Sequence, residues 1–196
     1  KLATKNKKII VIKKAAKNSF EINKNQYASP QNVFHISGKT SAAIIDTIEK
    51  NAPKIVQMIK EMEIAETQKI NKQSLINPKI ITNKFHITLN IPSSYEYMLH
   101  KSKFIWLKKE IISGNMSLLI YQVPLHSIKK GDNEIASIVR MRDSIGKYIH
   151  GTDPNTPMIT EEGYAPYLFK IQLDGKPTYE TKGTWELKND FMSGPF

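Results

Sequence analysis

Five residues have side chains whose chemistry could grip a ligand or partner: Arg142, Glu161, Tyr164, Glu180 and Trp185. Arg142 is one of only two arginines, with Arg140, and a guanidinium fork matches a carboxylate or phosphate in a way that a lysine cannot. Glu161, beside Glu162, and Glu180, in a set with Glu186 and Asp190, are carboxylates of the kind used for acid–base work. That work requires a fixed separation and perturbed pKa values, which adjacency in sequence does not supply. Tyr164 and Trp185 belong to a late aromatic cluster that could stack on a glycan or a partner, or fill a hairpin core. Arg142 has a structural reading that comes first, an ion pair with the acidic carboxy-terminal hairpin. Its neighbour Asp143 stands one turn before Lys147, a favourable i,i+4 pair.

Motifs that would raise these residues to a catalytic set are missing. Ser37-Gly38-Lys39-Thr40 resembles the end of a phosphate loop, but Val33 stands where its first glycine is needed, leaving a glycine turn and a Thr40 helix cap. His35, His86, His100, His126 and His150 lack metal-ligand spacing, and the chain has no cysteine. Neither a nucleophile elbow nor a glycine-rich dinucleotide loop occurs. The sequence therefore predicts no catalytic residues, no metal site and no cofactor.

The elements that must position these residues follow from periodicity. Lys7–Lys14 and Asn32–Ser37 read as strands, with a shorter one near Phe20–Ile22. Ile44, Ile45, Ile48, Ala52, Ile55, Val56, Ile59 and Met62 recur at helical spacing from Thr40 onward, with a kink or restart expected at Pro53. Asn77-Pro78 opens a short helix. Phe85–Ile91 alternates apolar and polar, predicting a half-buried strand, and Pro92 precedes one or two helical turns through Leu99. Phe104–Ile112 and Met116–Val123 form a hairpin across Ser113-Gly114-Asn115. Asp132 is the expected cap of a helix presenting Ile135, Ile138, Val139, Ile145 and Ile149, and 150–163 reads as loop. Tyr167–Leu173 and Pro177–Leu187 flank Asp174-Gly175 in a second hairpin.

This order predicts an α+β fold, with an antiparallel or mixed sheet and two long helices packed on one face. It divides into a strand–strand–helix module over 1–76 and a hairpin–helix–hairpin module over 77–196, which could also form one continuous domain.

With 196 residues, 40% of them hydrophobic, the chain can bury a sizeable core, and no apolar run is long enough to span a bilayer. Its net charge is +11, carried by 27 lysines and the two arginines. Nucleic-acid readers draw on arginine, so so few of them, in a chain rich in Ile and Asn, point to A/T-rich coding and a solvated lysine surface. Nucleic acid is not an expected partner. Polyanion binding through the lysine-rich start, with eight Lys and one Glu in 1–24, stands as a further alternative.

Several stretches carry a resemblance: Ile36-Ser37-Gly38-Lys39, Lys109-Glu110-Ile111, Met141-Arg142-Asp143-Ser144-Ile145-Gly146-Lys147 and Met158-Ile159-Thr160-Glu161-Glu162. Tyr164-Ala165-Pro166-Tyr167, Tyr179-Glu180-Thr181-Lys182-Gly183-Thr184-Trp185-Glu186 and Asn189-Asp190-Phe191-Met192-Ser193-Gly194-Pro195-Phe196 continue it. Together they resemble a Bacteroidota lipoprotein family described only as a domain of unknown function. The resemblance implies a cell-envelope, outer-membrane-associated location, periplasmic or surface-facing. It also implies a lipid anchor on a cysteine outside this stretch, and a chain extending past both ends. It supplies no catalytic residues. The function expected is a non-catalytic envelope module that binds another envelope protein or plays a structural part. The alternative is a ligand-binding, glycan-binding or enzymatic cleft built on Arg142, Glu161, Glu180 and Trp185.

Overall fold

In the computed structural model, which describes residues 3–129, 131 and 133–196, the chain divides into two units, Lys1–Leu119 and Ile120–Phe196.

The first unit opens with β1 (Lys8–Lys14), β2 (Ser19–Lys24) and β3 (Asn32–Gly38), in sheet order β1-β3-β2. β1 runs parallel to β3 and β2 antiparallel to it. The register sets Phe20 opposite Ile36 and Ile22 opposite Phe34, placing four apolar side chains on one face. Helix α1 (Ser41–Asn71) covers that face: Phe34, Ile36 and Ile55 are buried together, flanked by Ile44, Ile48, Met58 and Ile59. Thr40 caps the helix, its hydroxyl accepting from the Ala43 amide at 3.2 Å. No restart occurs at Pro53. Proline forfeits one amide donor, and the helix runs on because the apolar residues on both sides of it pack on one sheet. Its polar end is tied back to β1 by the pairs Lys7–Glu66 and Lys8–Glu63.

Helix α2 (Lys79–Phe85) follows, its start held by Asn77 Oδ1 accepting from the Lys79 amide. The strand expected at Phe85–Ile91 does not form. Phe85 closes α2, His86 takes a left-handed backbone (φ 56°) and only Ile91 is buried, while Ile87 is exposed. The alternation there found no neighbouring strand to bond. The predicted turns after Pro92 are instead β4 (Glu96–Lys101), which pairs antiparallel with β5 (Phe104–Ile111). β6 (Gly114–Tyr121) completes a sheet of order β4-β5-β6. Phe104, Ile105 and Leu107 make β5 the buried strand of this sheet.

In the second unit, helix α3 (Glu134–Gly146) begins after Asn133; Asp132, the expected cap, lies outside the described residues. The stretch expected as loop contains a three-residue strand, β7 (Met158–Thr160). β8 (Tyr167–Leu173) and β9 (Lys176–Lys182) form the expected hairpin, with positive φ at Asp174 and Gly175 (51° and 70°), as a type I′ turn requires. The long strand expected to end at Leu187 breaks at Gly183. Its second half, β10 (Thr184–Leu187), joins another sheet of order β11-β10-β7, where β11 is Ser193–Pro195.

The fold class is α+β. Among the described residues the strands make four small sheets rather than one, and no helix is long and apolar enough to cross a membrane. Phe34→Ala, which empties the centre of the first core, is expected to lower its unfolding free energy in urea by about 3–5 kcal/mol. Ile12→Ala, at a site 54% exposed, should cost under about 1 kcal/mol.

Candidate functional site

Arg142 and Trp185 are brought to one face of the β11-β10-β7 sheet. Pairing puts Trp185 opposite Thr160 on one side and Gly194 on the other, so all three point the same way. The indole lies over Gly194, where a Cβ would sit 3.0 Å from Trp185 Nε1. Phe196 and Gly183 exchange backbone hydrogen bonds of 2.8 and 3.2 Å, and the Phe196 ring covers Gly183 in the same manner. Two aromatic rings thus occupy space that two glycines leave free.

Helix α3 meets this face through neighbouring opposite charges. Arg142 Nη1 donates to Thr160 Oγ1 at 2.9 Å, and the guanidinium carbon lies 3.5 Å from the centre of the Phe196 ring. Asp143 Oδ1 accepts from both the Thr160 amide and its hydroxyl, each at 2.8 Å. The buried Thr160 hydroxyl therefore accepts from a cation and donates to an anion at once. At the end of α3, Gly146 rests directly against the Met158 carbonyl, and a Cβ there would collide with it.

These contacts correct two expectations. Among the described residues Arg142 makes no ion pair with the acidic hairpin; a ring face and a hydroxyl take that place. Asp143 does not pair with Lys147, because Thr160 offers it two donors. Burial pulls the Arg142 guanidinium below its ordinary value, opposed by the charges of Asp143 and Tyr121. Burial likewise raises the phenol of Tyr121.

The other three candidates do not join this pair. Glu161 turns its carboxylate onto the Gly163 amide at 2.8 Å. Glu180 sits on β9 and pairs with Lys182 at 3.1 Å. Tyr164 is 78% exposed.

Glu134 is the residue that sequence reasoning missed. One of its oxygens accepts from Tyr179 Oη at 2.7 Å, and the other lies 3.1 Å from Lys170 Nζ, fastening the β8–β9 hairpin to the start of α3. The bond from Tyr179, then that from Lys170, lowers the Glu134 pKa. The same contacts raise Lys170 and Tyr179. An acid in a helix's first turn was the one local signal for it.

In the first unit, an open groove of about 360 Å³ lies between α1 and the end of β2, lined by Lys24, Gln31, Met58, Glu61 and Met62 among others. None of the expected site residues lines it. The buried Gln31 side chain beneath is fully used, donating to the carbonyls of Ala3 and Asn6 and accepting from the Tyr27 amide. Of the amino-terminal lysines, Lys7 and Lys8 are engaged by Glu66 and Glu63. Among the described residues no three of His, Asp and Glu converge as a metal site would need.

Residues 74–196 match a family model described as Domain of unknown function (DUF4837), and residues 1–72 match a second, Domain of unknown function (DUF8532). No curated protein and no solved structure matches the chain.

Thr160→Val keeps the side-chain shape but takes from the guanidinium its hydroxyl acceptor and from the carboxylate one of its two donors, and is expected to lower the second unit's stability by about 1.5–3 kcal/mol, with Thr160→Ser restoring most of it. Followed by NMR, the Glu134 carboxyl should titrate below the usual glutamate value of about 4.3, and Tyr179→Phe should move its midpoint up towards that value. The lowered carboxylate contributes stability above its ordinary pKa, which is lost as pH falls through the lowered one. The raised Tyr179 and Lys170 contribute below their ordinary values of about 10, and lose this as pH rises past their raised ones. Hairpin attachment should therefore be firmest between these limits.

Proposed function

We propose that this chain, which belongs to the family Domain of unknown function (DUF4837), is a non-catalytic module of the cell envelope. It is carried on a lipoprotein of Bacteroidota type whose acylated cysteine lies outside this stretch, and it binds another envelope protein. The family resemblance supports the location. What supports the absence of turnover is how the candidate side chains are employed. Arg142 is stacked and hydrogen-bonded, Trp185 is laid over a glycine, and Glu161 and Glu180 are held by neighbours within two residues. An acid–base pair needs carboxylates free to exchange protons with a substrate, and a gripping arginine needs its fork turned outward.

A module of this kind works through its surface. The second unit offers exposed aromatic and aliphatic side chains at Tyr164, Tyr167, Leu173 and Phe191. Such groups supply contact area at low conformational cost when a partner covers them.

The full-length protein, expressed in its host and labelled with a palmitate analogue, should fractionate with membranes and carry the label. Cross-linking in intact cells should then recover a stoichiometric envelope partner. An unlabelled protein in the soluble fraction, or no partner under conditions that preserve known envelope complexes, would overturn this reading.

A further inference from the structure

The parallel ladder between β1 and β3 uses only half of the β1 backbone. The Lys7 carbonyl accepts from the Asn32 amide at 2.9 Å, and the Ala15 amide donates to the Gly38 carbonyl at 3.0 Å. Bonding residues alternate along a strand of a parallel pair. The odd-numbered positions of β1 therefore bond β3, and Lys8, Ile10, Ile12 and Lys14 turn their N–H and C=O groups outward. β1 stands at the edge of its sheet, and among the described residues no strand or loop backbone bonds that side.

The side chains of the same four residues share the face of the sheet that carries α1, because Ile10 is in register with Phe34 and Ile12 with Ile36. Helix α1 buries Phe34 and Ile36 but leaves Ile10 and Ile12 49% and 54% exposed. β1 is thus a ledge beside the helix. The Lys8–Glu63 pair marks the flank of α1 that borders it, and Val56, two turns before Glu63 on the same stripe, is exposed as well. An unpaired backbone edge, floored by two isoleucines and walled by a helix, is the setting in which an extended peptide adds as a further strand.

The charges at the two ends of the ledge say which strand fits. At one end Lys7 and Lys8 are taken by Glu66 and Glu63. At the other, Lys13, Lys14, Lys17 and Lys39 make no ion pair among the described residues. The first turn of α1 holds no acid, and Asp46 and Glu49 further along it leave that end with an excess of positive charge. A second copy is the poorer occupant. Two-fold pairing about Val11 would set Lys8 of each copy opposite Lys14 of the other, gathering Lys7, Lys8, Lys13 and Lys14 at each end against Glu63 and Glu66. Edge lysines so placed keep like from adding to like, and admit a strand that brings carboxylates to them.

We propose that the open edge of β1 receives an extended segment of a partner protein as a fourth strand of this sheet, apolar at alternate positions and acidic at the end that meets Lys13 and Lys14. This deepens the binding reading above and rests on it only for the partner being a protein.

The test is an NMR titration of the chain with a short capped peptide that alternates valine and threonine and begins with two aspartates. A second form carries the aspartates last, and a third has lysines in their place. One acid-ended peptide should move the amide signals of Lys8, Ile10, Ile12 and Lys14 more than those of Ile9 and Val11, and added salt should weaken it. The lysine-ended form should bind about tenfold less well. Ile12→Pro removes an outward N–H and no bond to β3, so it should fold, as circular dichroism and urea unfolding report, and bind about tenfold less well. Lys13→Glu combined with Lys14→Glu, at two exposed positions, should turn the preference towards the lysine-ended peptide, and decides the matter alone if the proline is not tolerated. The proposal is overturned if neither acid-ended peptide moves those amides, if a folded proline variant binds as the parent does, or if the charge reversal leaves the preference unchanged. It is overturned too if the chain alone is a dimer that Ile12→Pro dissolves, which would make a second copy the occupant. Failure here leaves the acyl-labelling and fractionation outcome untouched, and failure there leaves the peptide result standing, so the two readings fall separately.

Discussion

The hydroxyl of Thr160 is the joint on which the second unit turns. A hydroxyl can accept and donate together, and here it does both between a guanidinium and a carboxylate that are neighbours on one helix. Neither charge would be comfortable half-buried alone, since desolvation is repaid only when the remaining donors and acceptors are met. With Thr160 between them they fix the rotation of α3 against β7, and so bring the Gly146 backbone onto the Met158 carbonyl. Helix α3 then works as a strut about 20 Å long. One end grips the small three-stranded sheet and the other, at Glu134, holds the β8–β9 hairpin.

The scarcity of arginine acquires a structural meaning in this light. A lysine at 142 would bring a point charge with a strong hydration shell, unable to lie flat on Phe196 while bonding sideways to a hydroxyl. Arg140, the other arginine, stays on its own helix and reaches Ser137 at 3.3 Å. The lysines do different work. They make surface pairs such as Lys7–Glu66 and Lys108–Glu110, each of small individual worth.

How much of this was legible in the sequence depends on the range of the interactions. The α+β class, the face of α1, the Thr40 cap and both hairpin turns follow from local pattern, because helical periodicity and turn chemistry operate over a few residues. The strand expected at Phe85–Ile91 shows where pattern fails. Alternation describes a surface that could be paired, and pairing depends on a partner that the local sequence does not contain. β7 and β11, three residues each, are too short to carry a period at all. In the site, the rarity of Arg142 marked it as special, but its partners Thr160 and Phe196 lie 18 and 54 residues away, and no spacing rule links them. Glu134 was hidden for the same reason, its bonds reaching to Lys170 and Tyr179.

The pairing of β11 with β10 has one more consequence. A three-residue edge strand ordinarily opens easily, and its opening changes little. Here the ring of Phe196 shields a cation and its backbone closes the ladder beside Gly183. Local opening of β11 would wet the guanidinium under Phe196 and uncover the indole above Gly194. Protection of the β11 amides from hydrogen exchange is therefore a sensitive gauge of whether the sheet is closed.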